Sequence, residues 1–285
     1  MGALKDRMVI ASLKVLPQRY ISHCAGALLS VQLPQPVARR AVRAFGSYFG
    51  VNFEEVRESL DAFPSVQSFF ISALKDGARP VDESPDAFVS PCDGAWGASG
   101  VVTEGTALQV KGRPYSVSSL LDDADLAAKL EGGCFATLYL SPRDYHRFHA
   151  PCSGDVVAAR YIPGALWPVN AAGIRHVDGL FSRNERIVAV VQPDGHPGAV
   201  LAMVAVGATM VGKVHVTFDD LTTNVGGGAV ARHYEPPKRV EKGAEWGRFE
   251  FGSTIVLVAS QGWLDMHTQE PSTPLVLGRR VGTMS

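Results

Sequence analysis

Beyond residue 80 the sequence runs in short stretches of Val, Leu, Thr and aromatic residues, each closed by Gly, Pro or Asp. This feature constrains the fold most, because such stretches suit strands and are too short for ordinary helices. Phe135–Leu140, Asp155–Tyr161, Ile187–Val191, Ala199–Val206, Lys213–Phe218 and Thr254–Ala259 read as strands, and Ser116–Leu130 reads as the one clear helix among them. Strands and helices do not alternate, which argues against a doubly wound parallel sheet. A weak internal repeat adds to the picture. Ser90-Pro91-Cys92-Asp93-Gly94-Ala95 echoes Ala150-Pro151-Cys152-Ser153-Gly154-Asp155, each a tight bend ahead of an apolar run. Paired turns of this kind resemble the half-barrels of lipoyl-type sandwiches, but no carrier lysine follows either one.

The first 80 residues have a different texture. Leu4, Met8, Ala11 and Val15 recur at helical spacing until Pro17, and Ile21–Val31, Pro36–Phe49, Phe53–Leu60 and Ser65–Leu74 continue in helical pieces. Arg79-Pro80-Val81-Asp82 reads as a linker. The expected fold class is therefore α+β: an N-terminal helical, membrane-associating region over 1–80, then a β-rich, sandwich- or barrel-like catalytic domain over 81–285. Charge supports the division. Residues 1–50 hold seven basic side chains against Asp6 alone, a balance of +6, so the chain's net −1 leaves −7 for the other 235 residues. A basic, partly apolar arm on an acidic body suits an anionic membrane surface. The near-neutral total gives no reason to expect nucleic acid.

No apolar run reaches the roughly 18 residues of a membrane span. Cys24, Cys92, Cys134 and Cys152 are widely spaced, without a C-x-x-C pair, so reduced thiols and a cytoplasmic setting are the default. Gly207–Lys213 has most of a phosphate-binding loop, yet Val214 stands where Ser or Thr is required, and the residues that follow alternate like a strand. His146 and His149 lie three apart in a loop without a cysteine pair, so no metal is expected and acid–base work is the alternative.

Gly252-Ser253-Thr254, set before the apolar run Ile255-Val256-Leu257-Val258, resembles the self-cleavage site of phosphatidylserine decarboxylases, with Phe251 in place of the usual Leu. Ser141–Cys152 is similar to that family's histidine loop, and Ser90–Gly94 to its aspartate turn. Ile162–Asn170, Asn184–Ile187 and Gly207–Gly212 also look like family segments. Four or more such segments in the right order, over almost the whole chain, make the resemblance specific.

The resemblance implies cutting between Gly252 and Ser253 into a large beta chain (1–252) and a small alpha chain (253–285). Ser253 then becomes a pyruvoyl cofactor, which takes phosphatidylserine to phosphatidylethanolamine and CO2 through a Schiff base. It also implies peripheral attachment to the cytoplasmic side of the cell membrane; a homo-oligomer stays open. The residues allow this chemistry. Gly252 permits the cramped backbone that attack by the Ser253 hydroxyl requires. That hydroxyl needs a base, for which His149 is the candidate, with Asp93 holding the ring in its tautomer. His146 is the candidate acid that protonates carbon after CO2 departs, and the Thr254 hydroxyl is a candidate to polarise the scissile carbonyl. Two other enzymes use similar residues: a pyruvoyl-dependent decarboxylase of a soluble amino acid, and a Ser-His-Asp hydrolase that keeps Ser253 intact. A non-catalytic sandwich module would show no cutting at all.

Overall fold

The computed structural model describes residues 18–108, 114–209, 213–224, 227–250 and 253–285. The helix expected from Leu4 to Val15 and Gly252, expected at the cleavage site, lie outside them. The described residues form an α+β structure made mostly of strands, with few helices.

Helices span Gln18–Leu29 and Gln35–Phe49. The second opens with Pro36 near its first turn and stops at Gly50, whose φ of 79° lets its N–H return to the Gly46 carbonyl. The helix expected over Phe53–Leu60 is absent. Backbone bonds from Arg57 to Ala73 and from Lys75 to Glu55 hold this stretch extended against 73–75, leaving only short turns at Phe53–Glu55 and Leu60–Ala62. A five-residue helix, Val66–Phe70, follows a capping box between Ser65 and Ser68. Val42, Val56, Phe63 and Phe69 pack with Phe45, Val51, Phe53 and Leu60 into a small core of their own.

The main core is built on an eight-stranded antiparallel sheet. Its order runs Val230–Val240, Gly154–Ile162, Arg186–Pro193, Leu201–Val206, Ser253–Ala259, Cys134–Leu140, Gly94–Val101, Pro274–Leu275. The order is linear, so this sheet is open rather than a closed barrel. A three-stranded sheet of Val214–Val216, Glu245–Phe249 and Arg147–His149 contributes Val214, Phe249 and Phe148 to the same core. A second, of Ala87–Val89, Arg280–Met284 and Leu264–Met266, adds Phe88, Val281 and Met266.

Every strand expected from sequence is present near its expected place, and others were not anticipated, among them Val230–Val240, Glu245–Phe249 and Arg280–Met284. The expected helix Ser116–Leu130 is two helices, Val117–Leu121 and Ala124–Lys129. Asp122 takes a left-handed φ of 53° between them, and Asp123 caps the second by accepting from the Leu126 N–H.

The internal repeat is paired in space. The His149 N–H donates to the Pro91 carbonyl at 2.7 Å, and the Val89 N–H to that of Pro151 at 2.9 Å, so the two bends are tied to each other. Glycine is needed after the first bend, because a Cβ on Gly94 would sit 2.2 Å from the Tyr139 carbonyl oxygen. The stretch read as a linker is bonded to the body: Asp82 N–H donates to the Gly278 carbonyl, and Arg280 donates to the Asp82 carboxylate.

Candidate active site

Ser253 opens the Ser253–Ala259 strand, paired with Leu140 on one side while Thr254 pairs with Val206 on the other. The side chain is fully buried, and its Oγ has no hydrogen-bond partner among the described residues. Side chains alternate along a strand. Thr254 accordingly faces a small apolar chamber with Thr137, Tyr139, Ile174 and Phe181. Its hydroxyl is on the opposite face from Ser253, and the Gly252 carbonyl it was expected to polarise lies outside the described residues.

The chain leaving Leu140 becomes the histidine loop. Asp144 folds it by accepting from both the N–H and the hydroxyl of Ser141 at 2.7 Å. The Asp144 carbonyl lies 2.7 Å from His146 Nδ1, and the Gly243 carbonyl lies 2.8 Å from His149 Nδ1. A carbonyl can only accept, so both rings carry their proton on Nδ1 and leave the Nε2 lone pair open. Both Nε2 atoms are buried without a partner. Burial lowers the pKa of His146 to about 3. It also lowers that of His149, partly offset by the bond to Gly243. Both rings are therefore neutral near pH 7.

Asp93 is also buried, but it does not hold the His149 ring. It accepts from Arg79 Nε at 2.9 Å, from Arg79 Nη2 at 2.7 Å and from the Leu277 N–H at 2.8 Å. A guanidinium fork outcompetes a neutral imidazole for a carboxylate. The orienting role expected of Asp93 thus falls to the Gly243 carbonyl, and the Asp93 charge reaches His149 only as the last of several influences. Arg79, read from sequence as part of a linker, also binds Glu55 at 2.8 Å.

Upstream of the expected cut, Glu250 is held on several sides. The Glu250 N–H donates to the Lys213 carbonyl, its own carbonyl accepts from Gln67 Nε2 at 2.8 Å, and His215 Nε2 meets its carboxylate at 2.8 Å. The Phe249 N–H donates to the His146 carbonyl, and the Phe70 ring lies 4.0 Å from the His146 ring. Gln67 and Arg79 were not singled out from sequence as site residues. Each acts over a long sequence separation, which leaves no local signal. Between the helical region and the histidine loop is a cleft of about 160 Å³, whose walls include Phe45, Phe70, Arg79, Asp93 and Tyr145.

The family model described as phosphatidylserine decarboxylase matches residues 66–283. The chain belongs to the phosphatidylserine decarboxylase family. Relatives in this family agree over nearly the full length. A phosphatidylserine decarboxylase proenzyme of Anaeromyxobacter sp. (strain K) is 44% identical over 262 residues, covering 91% of this chain and 92% of its own. That of Myxococcus xanthus (strain DK1622) is 38% identical over 285 residues, 99% of this chain and 100% of its own. One of Brevibacillus brevis is 38% identical over 271 residues, 94% and 95%.

Three of the segments that resemble this family meet at one buried side chain. Asn184 Nδ2 donates to the carbonyls of Trp167 and Gly207 at 2.8 Å, while its Oδ1 accepts from the Trp167 N–H at 2.9 Å.

Proposed function

We propose that this chain is a proenzyme that cuts itself between Gly252 and Ser253, and that the cut enzyme converts phosphatidylserine to phosphatidylethanolamine and CO2. One observation carries the reading: in a chain of this family, Ser253 Oγ and the Nε2 atoms of two neutral histidines are all buried without partners. Such atoms cost about 1–3 kcal/mol each when left unsatisfied, so their retention points to chemistry.

In the first stage Ser253 Oγ attacks the carbonyl carbon of Gly252. His149 Nε2 takes the hydroxyl proton and passes it to the departing amide nitrogen, so that the C–N bond is replaced by an ester C–O bond. Loss of the Cα proton and cleavage of the Cβ–O bond leave a carboxylate on Gly252 and dehydroalanine at 253. Its tautomer adds water and releases ammonia, giving a pyruvoyl group. The buried start of a central strand suits such a group, since the new terminus stays fixed by its neighbours. When present, the group supplies an electrophilic carbonyl and a sink for the electrons released with CO2. His146, neutral with its Nε2 lone pair open, accepts a proton before it can return one to carbon, and so serves as base and then acid.

The pieces 1–252 and 253–285 would stay together through the sheet. Ser253–Ala259 lies between two strands, Arg280–Met284 pairs with Ala87–Val89, and Leu277 N–H holds Asp93. The division into a helical region (1–80) and a catalytic domain (81–285) is part of the same proposal. Among the described residues no helix is long and apolar enough to cross a membrane. Leu28, Val31, Val37 and Tyr48 are exposed large apolar side chains on or beside the helices that follow the basic N-terminus. They support peripheral binding to an anionic membrane on its cytoplasmic side.

Vesicles containing phosphatidylserine, with CO2 and the product lipid followed by mass, test the reading. His149→Ala is expected to accumulate uncut chain. His146→Ala is expected to be cut yet to release no CO2. An uncut wild-type chain that hydrolyses esters would favour the hydrolase instead.

A further inference from the structure

We infer that Glu185 is a further member of the reaction centre, with its carboxyl taking a proton from the substrate's ammonium at position 253; this rests on the function proposed above. The argument begins with register. Arg186 pairs with Val206, and Val206 with Thr254. One residue back along this ladder, the Gly207 N–H donates to the Glu185 carbonyl at 2.9 Å, and extending the Thr254–Val206 register by one residue sets Gly207 opposite Ser253. Residues directly opposite across adjacent strands share a face. Glu185, Gly207 and Ser253 therefore lie in one row on the face away from Thr254. Two strand spacings, about 10 Å, separate the backbones of 185 and 253.

The residue between them has no side chain, and Glu185 fills the space this leaves. A Cβ on Gly207 would stand 3.2 Å from Glu185 Cγ and 3.4 Å from Leu166 Cδ2, so the glutamate's methylene lies against the glycine. Glu185 is 1% exposed. Tyr161, on the neighbouring strand, donates its hydroxyl to Oε2 at 3.3 Å. The adjacent Arg186 turns to the other face and donates to the carbonyls of Ser119, Leu120 and Asn184. A buried carboxyl group in the same row and on the same face as the residue that becomes the electrophile has a definite use. The amine of a serine headgroup is an ammonium near neutral pH, and it must lose a proton before its nitrogen can bond to carbon. Glu185 takes that proton as the N–H bond breaks. As nitrogen bonds to carbon, the carbonyl oxygen leaves as water with the amine's two other protons, and the proton held by Glu185 returns to nitrogen, which leaves the carboxylate as its counter-charge.

Two probes separate this role from a structural one. Phenylhydrazine is a neutral nucleophile near pH 7 and has no proton to lose first, whereas O-phosphoserine offers an ammonium and needs reductive trapping with borohydride. The readout is the mass of the 253–285 piece against time. Glu185→Gln keeps the shape and is expected to be fully cut, with a small piece of wild-type mass. Its phenylhydrazine rate should match wild type, while phosphoserine trapping falls about a hundredfold, the usual reach of a general base. Equal slowing of both probes, or of neither, overturns the inference. So does an uncut Glu185→Gln chain, which would move the carboxyl's task to the precursor. A wild-type chain that reacts with neither probe overturns the proposed function, and this inference with it.

Discussion

The molecule has two hydrophobic cores of unequal kind. The large one is built on strands paired along both edges, and the Ser253–Ala259 strand at its centre is buried at every residue. The small one joins a few aromatic and aliphatic side chains from the helical region. Named contacts tie the small core to the site: Gln67 to the Glu250 carbonyl, Phe70 against His146, the Ile71 carbonyl to Arg147, and Arg79 to Asp93. The large core fixes the serine, while the small core helps to fix the histidine loop. Under the proposed function, the helical region would meet the membrane and adjust there without disturbing the strand that carries Ser253.

The sharpest way to break this comparison is to remove volume from each core in a Ser253→Ala background, where a single uncut chain unfolds. Leu257, fully buried in the central strand, should cost about 3 kcal/mol of global stability when changed to Ala. Phe63→Ala should cost the global transition under about 1 kcal/mol, while hydrogen-exchange protection within residues 33–70 falls, because the small core opens locally. Equal global losses would mean one cooperative core.

Acid probes the junction between the cores. His146 is held to about 3 and His149 below its ordinary value, both chiefly by burial, so the folded protein binds fewer protons than the unfolded chain below about pH 6.5. Their contribution to stability is whole above that pH and is lost as pH falls toward the folded values. The loss is about 1.4 kcal/mol per pH unit for each histidine. His146→Leu should remove one proton from this slope in denaturation measured between pH 6 and 4. An unchanged slope would place His146 in contact with water.

The smallest effect on folding is expected at the surface. Leu28→Ser with Tyr48→Ser should leave stability within about 0.5 kcal/mol. Sedimentation with anionic vesicles should nevertheless decrease, and it should decrease further with salt. Unchanged sedimentation would assign membrane contact to other residues.

What could be read from the sequence follows the same division. Central strands such as Leu201–Val206 and Ser253–Ala259 are buried throughout, so their continuous apolar runs announce them. The edge strand Val230–Val240 is mostly exposed and carries Pro236 and Pro237, and nothing in its composition marks it as a strand. In the site, Ser253, His146 and His149 were legible because their residue types are the chemistry. The group that orients His149 was not, since a backbone carbonyl at Gly243 has no residue type to read. Arg79 looked like a linker for a related reason: its partner Asp93 is chosen by the fold, and a charge beside a proline gives no hint of it.

The central claim is that Ser253 cuts its own chain, and intact mass under denaturing conditions tests it most directly. Wild-type protein should give two polypeptides, 1–252 and 253–285, the smaller one lighter by one ammonia than a serine-terminated chain, while Ser253→Ala should give one uncut chain. A cut Ser253→Ala chain, or wild type that stays whole, would contradict the account.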